Sequence, residues 1–154
     1  MKYSPDEAKE LKAKYDRDGY VALRGFLSPD QLQTLKDNLR RYVDEVVPTL
    51  PKEDAFFEKK GDPTTLKQLI RMSDNDAFFA EMQNQGDFRE VAEILLGRGV
   101  APQNLQFFNK PAKIGAPTPA HQDGYYWMIT PMEGLTMWLA LEDVDEENGC
   151  VRYA

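Results

Sequence analysis

His121 and Asp123 stand one residue apart, an imidazole and a carboxylate whose types and spacing suit a shared metal ion. In an extended segment, residues i and i+2 face the same way, about 6.6 Å apart along the strand. A ring nitrogen and a carboxylate oxygen can then converge on one cation. These are two members of the 2-His-1-carboxylate facial set that holds non-haem Fe(II) and leaves positions open for co-substrate and O2. The bland alternative is a chance triplet, with the histidine acting as a surface hydrogen-bond donor beside acids. The chain has one histidine, His121, and one cysteine, Cys150. An internal disulfide and a cysteine-rich zinc site are therefore excluded, a zinc hydrolase lacks ligands, and a site needing two imidazoles is incomplete in one copy. Cys150 reads as a small buried hydrophobe, since no second histidine is available to activate it.

Tyr125, Tyr126 and Trp127 follow the pair directly and offer ring walls of the kind a small-molecule pocket uses. They could equally be ordinary cross-strand aromatics. Alternation over 135–144 puts Leu135, Met137, Leu139 and Leu141 on a core face, and Thr136, Trp138 and Ala140 on a roomier one. Over 105–110, Gln106, Phe108 and Lys110 share a face, so Gln106 could point inward.

The elements that must position these residues fall into two halves, 1–99 mainly helical and 100–154 a β region. Ser4, Pro5 and Glu7 form a capping box with proline at the first helical position, and Ser28, Pro29 and Gln31 repeat the signal. Ala8, Leu11 and Tyr15 continue the first helix to Gly19. Leu32, Leu35, Leu39, Val43 and Val46 make the stripe of the second. Phe88, Val91, Ala92, Leu95 and Leu96 mark a further helix closed by Gly97. Residues 20–26 read as a short strand, 48–63 as a loop and 64–84 as short helical pieces. Runs at 105–110, 121–128 and 135–144 read as strands, followed by an Asn-Gly turn at 145–149 and a returning strand at 150–154. Such a sheet would stop with an open edge at Ala154, which predicts a single truncated domain whose natural chain continues.

With 154 residues, 42% of them hydrophobic, one domain can bury a core without disulfides. Nineteen Lys+Arg against 26 Asp+Glu give a net charge of −7 and no basic cluster, which argues against a nucleic-acid partner. No run is apolar enough to span a bilayer and no signal-peptide core opens the chain, so a cytoplasmic protein is expected.

The block HQDGYYW, Trp138 seventeen residues after His121, and ENGCVRYA resemble the phytanoyl-CoA dioxygenase family of Fe(II)/2-oxoglutarate oxygenases. QFFNKP with its Gly/Pro-rich lead-in, and DGYVALRGFLSPDQL near the start, resemble other blocks of the same family, so the similarity spans nearly the whole chain. It implies an α+β fold, with N-terminal helices flanking an incomplete double-stranded β-helix, or jelly roll. It also implies hydroxylation of a small-molecule substrate, coupled to decarboxylation of 2-oxoglutarate to succinate. By this resemblance His121 and Asp123 match iron ligands, and Trp138, Gln106 and Lys67 match positions that contact 2-oxoglutarate, with Arg71 a rival to Lys67. Tyr125 and Tyr126, beside the pair, are read from their position as walls of the substrate pocket. Retention of Asp123 implies hydroxylation, because related halogenases carry a small residue there. The family's second iron-binding histidine and the basic residue that pairs with 2-oxoglutarate lie later than ENGCVRYA, so this chain alone is expected to be inactive. The competing expectation is a short non-catalytic relative that binds a small molecule or pairs its open strands with a partner.

Overall fold

Both capping boxes form as their sequences dictate. The computed structural model describes residues 2–153. Helix α1 spans Pro5–Asp18, with Ser4 accepting from the Glu7 N–H while the Glu7 carboxylate accepts from the Ser4 N–H. Gly19, at φ 76°, closes it in the left-handed conformation that glycine adopts without strain. Helix α2, Pro29–Arg41, is capped by Ser28 and Gln31 in the same way. It runs on as a π-helical turn, Tyr42–Val46, and a 3-10 turn, Val47–Thr49, so the apolar stripe predicted to end at Val46 continues across the change of helix type.

The sheet is small, central and antiparallel. Strand β1 is Ala55–Phe57, β2 is Leu66–Leu69 and β3 is Phe107–Phe108, in the order β1-β2-β3. Leu69 pairs with both Ala55 and Phe107, and Gln68 with both Phe56 and Phe108. Between Phe56 and Phe57 the register shifts, so that Leu66 and Gln68 find partners on β1 while Lys67 stands unmatched in a bulge. Three helices separate β2 from β3: α3 at Met72–Asn75, α4 at Ala77–Asn84 and α5 at Gly86–Leu96. The side chain of Asp76 caps α4 by accepting from the Phe78 and Phe79 N–H groups.

Two hydrophobic clusters hold these elements. The first gathers Leu35, Tyr42, Leu66, Leu69, Met72 and Phe79 between α2, the sheet and α3–α4. Tyr42 meets Phe79 edge-on at 5.3 Å. The second places Phe26 against Val91 and Leu95 of α5, with Leu11 and Tyr15 of α1 packed over it. Leu27 touches both clusters. The segment that follows the candidate metal pair also reaches both, Leu135 packing on the second and Leu139 and Leu141 on the first.

Several expected elements take another form. Residues 20–26 are not a strand: Gly25 turns the chain at φ 63°, and Val21, Leu23 and Phe26 are held by packing on the second cluster instead of by a ladder. The 48–63 loop contains β1, and in 64–84 a 3-10 turn, Pro63–Thr65, leads into β2, because Leu66 and Leu69 fill the first cluster from a central strand. That tertiary demand overrides the helical composition of LKQL. In 100–154 the only strand among the described residues is β3. Residues 121–128 carry a one-turn helix, α6, at Gly124–Trp127, and 135–144 form no ladder. The turn at 145–149 does form, with the Gly149 and Cys150 N–H groups both donating to the Asp145 carbonyl. The returning segment after it, 150–153, is not paired as a strand, and Ala154 lies outside the described residues. A mixed chain of helices around a small antiparallel sheet is what the structure establishes.

Candidate metal centre

Asp123 occupies the N-cap of α6, where an aspartate normally spends its carboxylate on the free N–H groups of the first turn. Here it makes no such bond. One oxygen, Oδ2, accepts from the Thr136 hydroxyl at 2.7 Å, and the other, Oδ1, faces His121 Nε2 at 3.3 Å. The expected strand geometry is thus replaced by a tight turn, yet the two side chains still converge. The other histidine nitrogen, Nδ1, lies 2.8 Å from the Pro119 carbonyl. A carbonyl only accepts, so Nδ1 carries a proton, and Nε2 is the nitrogen directed toward Asp123.

This donor set fits part of a divalent-metal site. Two ligands at about 2.0–2.2 Å from one ion and at right angles are about 3 Å apart, close to the separation seen here. Each ligand has an outer partner that fixes its orientation, the Pro119 carbonyl for His121 and the Thr136 hydroxyl for Asp123, which is the usual support of metal ligands. Among the described residues no group of three or more His, Cys, Asp or Glu side chains is placed to hold a metal ion. The pair therefore supplies two ligands of a set and not the whole.

Aromatic rings border the pair on one side. Tyr126 packs edge-on to the His121 imidazole at 5.9 Å, and Tyr125 stands perpendicular to Tyr126 at 5.3 Å. Both tyrosines are largely exposed, at 66% for Tyr126 and 78% for Tyr125. Two glycines let the chain fold back over this turn. A Cβ on Gly134 would lie 2.6 Å from the Trp127 ring, and one on Gly124 would lie 3.0 Å from the Met132 sulfur. With Trp127 seated on Gly134, the backbone brings Thr136 within reach of Asp123.

The other candidate residues are held elsewhere. Trp138 is half exposed and lines an open cleft of about 420 Å³ together with Ala140, Cys150, Val151 and Tyr153. Gln106 accepts a hydrogen bond from the Gln68 side chain at 2.8 Å on the outer side of the sheet. Lys67, expected on a helix, sits in the β2 bulge with its ammonium 3.4 Å from Glu58. Its rival Arg71 is paired with Asp54, a carboxylate that is 4% exposed. The structure thus brings together His121, Asp123 and Tyr126, and it does not join Trp138, Gln106 or Lys67 to them. Thr136 and the Pro119 carbonyl are additions that sequence reading missed. The alternation over 135–144 placed Thr136 on the roomier face, but nothing local names its partner.

Helices packed on a small antiparallel sheet thus carry a His-x-Asp pair whose side chains turn toward one point. The sequence model of the phytanoyl-CoA dioxygenase (PhyH) family matches residues 15–154, and the chain belongs to that family. It is similar to "Phytanoyl-CoA dioxygenase 1" of Oryza sativa subsp. japonica, 25% identical over 169 residues that cover 89% of this chain and 60% of that protein. It is also similar to "Probable alpha-ketoglutarate-dependent hypophosphite dioxygenase" of Stutzerimonas stutzeri, 24% identical with 92% of this chain and 50% of that protein covered. "L-proline trans-4-hydroxylase" of Streptomyces griseoviridis is 27% identical, with 91% and 51% covered. The chain spans 50 to 63% of the length of the first of these curated relatives. No solved structure matches it. The relatives are dioxygenases and a hydroxylase, which supports an oxygenase class. No helix among the described residues is long and apolar enough to cross a membrane.

Proposed function

We propose that this chain carries the first two iron ligands of an Fe(II)/2-oxoglutarate-dependent dioxygenase that hydroxylates a small organic molecule. The observation that carries the reading is the 3.3 Å approach of His121 Nε2 to Asp123 Oδ1, with each ligand held from behind by an outer partner. When bound, Fe(II) with 2-oxoglutarate and O2 would supply the oxidising chemistry, 2-oxoglutarate losing CO2 to give succinate as a substrate C–H bond is hydroxylated. The chain's own residues bind and orient. His121 presents Nε2, Asp123 a single free oxygen, and Tyr125 and Tyr126 an apolar wall for substrate beside them. Trp138, Gln106 and Lys67 are assigned to the surroundings of 2-oxoglutarate. Lys67 is preferred to Arg71 because the Arg71 guanidinium is committed to a buried carboxylate. We place the enzyme in the cytoplasm.

Anaerobic equilibrium dialysis with Fe(II) and 2-oxoglutarate tests this, followed by NMR detection of succinate from the full-length protein once O2 is admitted. Retention of both ligands by the wild type, and loss of both in Asp123→Ala, is the expected result. A full-length protein that retains no metal and makes no succinate overturns the reading. It would favour a non-catalytic member of the family that acts by binding, or by pairing strands with a partner.

A further inference from the structure

Asp123 is a cap residue that does not cap. At the N-cap of a helical turn the low-energy use of an aspartate is to accept from the N–H groups one turn ahead. Here those groups are served by backbone instead, the Tyr125 N–H by the Gln122 carbonyl and the Tyr126 N–H by the Asp123 carbonyl. The carboxylate is thereby released, and the Thr136 hydroxyl takes one of its oxygens at 2.7 Å from thirteen residues away. A carboxylate accepts only, so the hydroxyl donates, and Oδ2 is occupied. What remains is Oδ1, the oxygen that faces His121 Nε2.

Thr136 is not placed there by its own loop alone. Leu135 is packed on the Phe26 cluster and Leu139 on the Tyr42 cluster, so the residue between them is fixed at both ends. The close seat of Trp127 on Gly134 sets the distance from this segment to α6.

We propose that Thr136 is a positioning residue of the metal centre: its hydroxyl locks the Asp123 carboxylate so that one defined oxygen is offered beside His121. The proposal rests on the metal-site reading given above. A carboxylate without this bond turns freely about its last torsion, and its second oxygen competes for the ion. The bond removes that freedom before metal arrives, as outer partners of metal ligands do elsewhere.

Co(II) is the probe, titrated anaerobically into the full-length protein and followed by its visible absorption, with thermal unfolding recorded on the same samples without metal. Three variants are compared with wild type: Thr136→Val, which keeps the shape and removes the donor, Thr136→Ser, which restores it, and Asp123→Ala. The expected result is Co(II) affinity about tenfold weaker in Thr136→Val and within about twofold of wild type in Thr136→Ser. The metal-free midpoints of those two variants should agree with each other. Wild-type affinity in Thr136→Val, while Asp123→Ala loses binding, overturns the role of Thr136 and leaves the metal site standing. An affinity that Asp123→Ala does not change overturns the metal-site reading, and this proposal with it. A midpoint that falls in Thr136→Val while Thr136→Ser fails to recover Co(II) affinity shows a merely structural role and also overturns it.

Discussion

The Lys67 ammonium lies 3.4 Å from Glu58 Oε1, and the same oxygen accepts a hydrogen bond from the Ala116 N–H at 3.3 Å. One carboxylate thus ties the β2 bulge to the Pro/Gly-rich approach to His121. Lys67 must exchange this partner, or share it, if it is to meet the carboxylate of 2-oxoglutarate. The Lys67→Met variant should bind 2-oxoglutarate about tenfold more weakly than wild type, the loss of one charge-assisted hydrogen bond. Glu58→Gln should bind it more tightly by releasing the ammonium. Quenching of tryptophan fluorescence by the co-substrate measures both, and unchanged affinity in Lys67→Met removes Lys67 from the site.

Arg71 should behave in the opposite way. Its partner Asp54 is 4% exposed, whereas the guanidinium is half in solvent. Removing the cation strands a buried charge, which is the costly way to break such a pair. Because one member is solvated, about 1–3 kcal/mol is expected for Arg71→Met instead of the fully buried figure. Urea unfolding should show that loss while 2-oxoglutarate affinity stays at the wild-type value.

Gly134→Ala tests how tightly α6 is closed. The added methyl would meet the Trp127 ring at 2.6 Å, so either the ring or the backbone must move. A loss of about 1–3 kcal/mol is expected from this overpacking. The Trp127 emission should shift, and Co(II) affinity should fall with it, because the same displacement carries Thr136 away from Asp123. Unaltered emission would mean that the ring does not rest on this glycine.

An acid-side effect is expected at the first capping box. The Ser4 hydroxyl and backbone N–H hold the Glu7 carboxyl below its ordinary value of 4.5. A carboxyl whose pKa is lower in the folded state stabilises the fold above its unfolded value, and that contribution fades as pH falls through the folded value. Gln keeps a capping acceptor without the charge. The thermal midpoint of Glu7→Gln should therefore lie below wild type at neutral pH, and the two should converge as pH falls below the lowered folded value. A gap that persists in acid would show that the charge is not what matters.

The parts legible in the sequence were those decided within one turn of chain. Ser4 with Glu7, Ser28 with Gln31, and Gly97 at φ 71° act on neighbours, so their residue types suffice. β2 was hidden because its identity as a strand comes from Phe107 and Phe108, some forty residues away, and from a core that needs Leu66 and Leu69. Residues 20–26 misled in the opposite sense, since their alternation reflects packing on α1 and α5 and not a ladder. His121 and Asp123 do converge, but on a different backbone from the strand expected: a two-residue spacing also converges in a turn that opens a helix. Thr136 escaped because a hydroxyl acquires its role only when the fold supplies a partner. For Trp138, Gln106 and Lys67 the sequence offered family resemblance; the contacts the structure gives Gln106 and Lys67 are with Gln68 and Glu58.

The segment from Leu135 to Leu141 rests on both hydrophobic clusters, and Asp123 hangs from it through Thr136. Its carboxylate is thus suspended from a beam with two supports. Loosening either support, whether at Phe26 or at Tyr42, tilts the beam before it breaks any helix. The approach of Asp123 to His121 should then be lost on warming ahead of helix content, making the pair the first casualty of core damage laid down far from it.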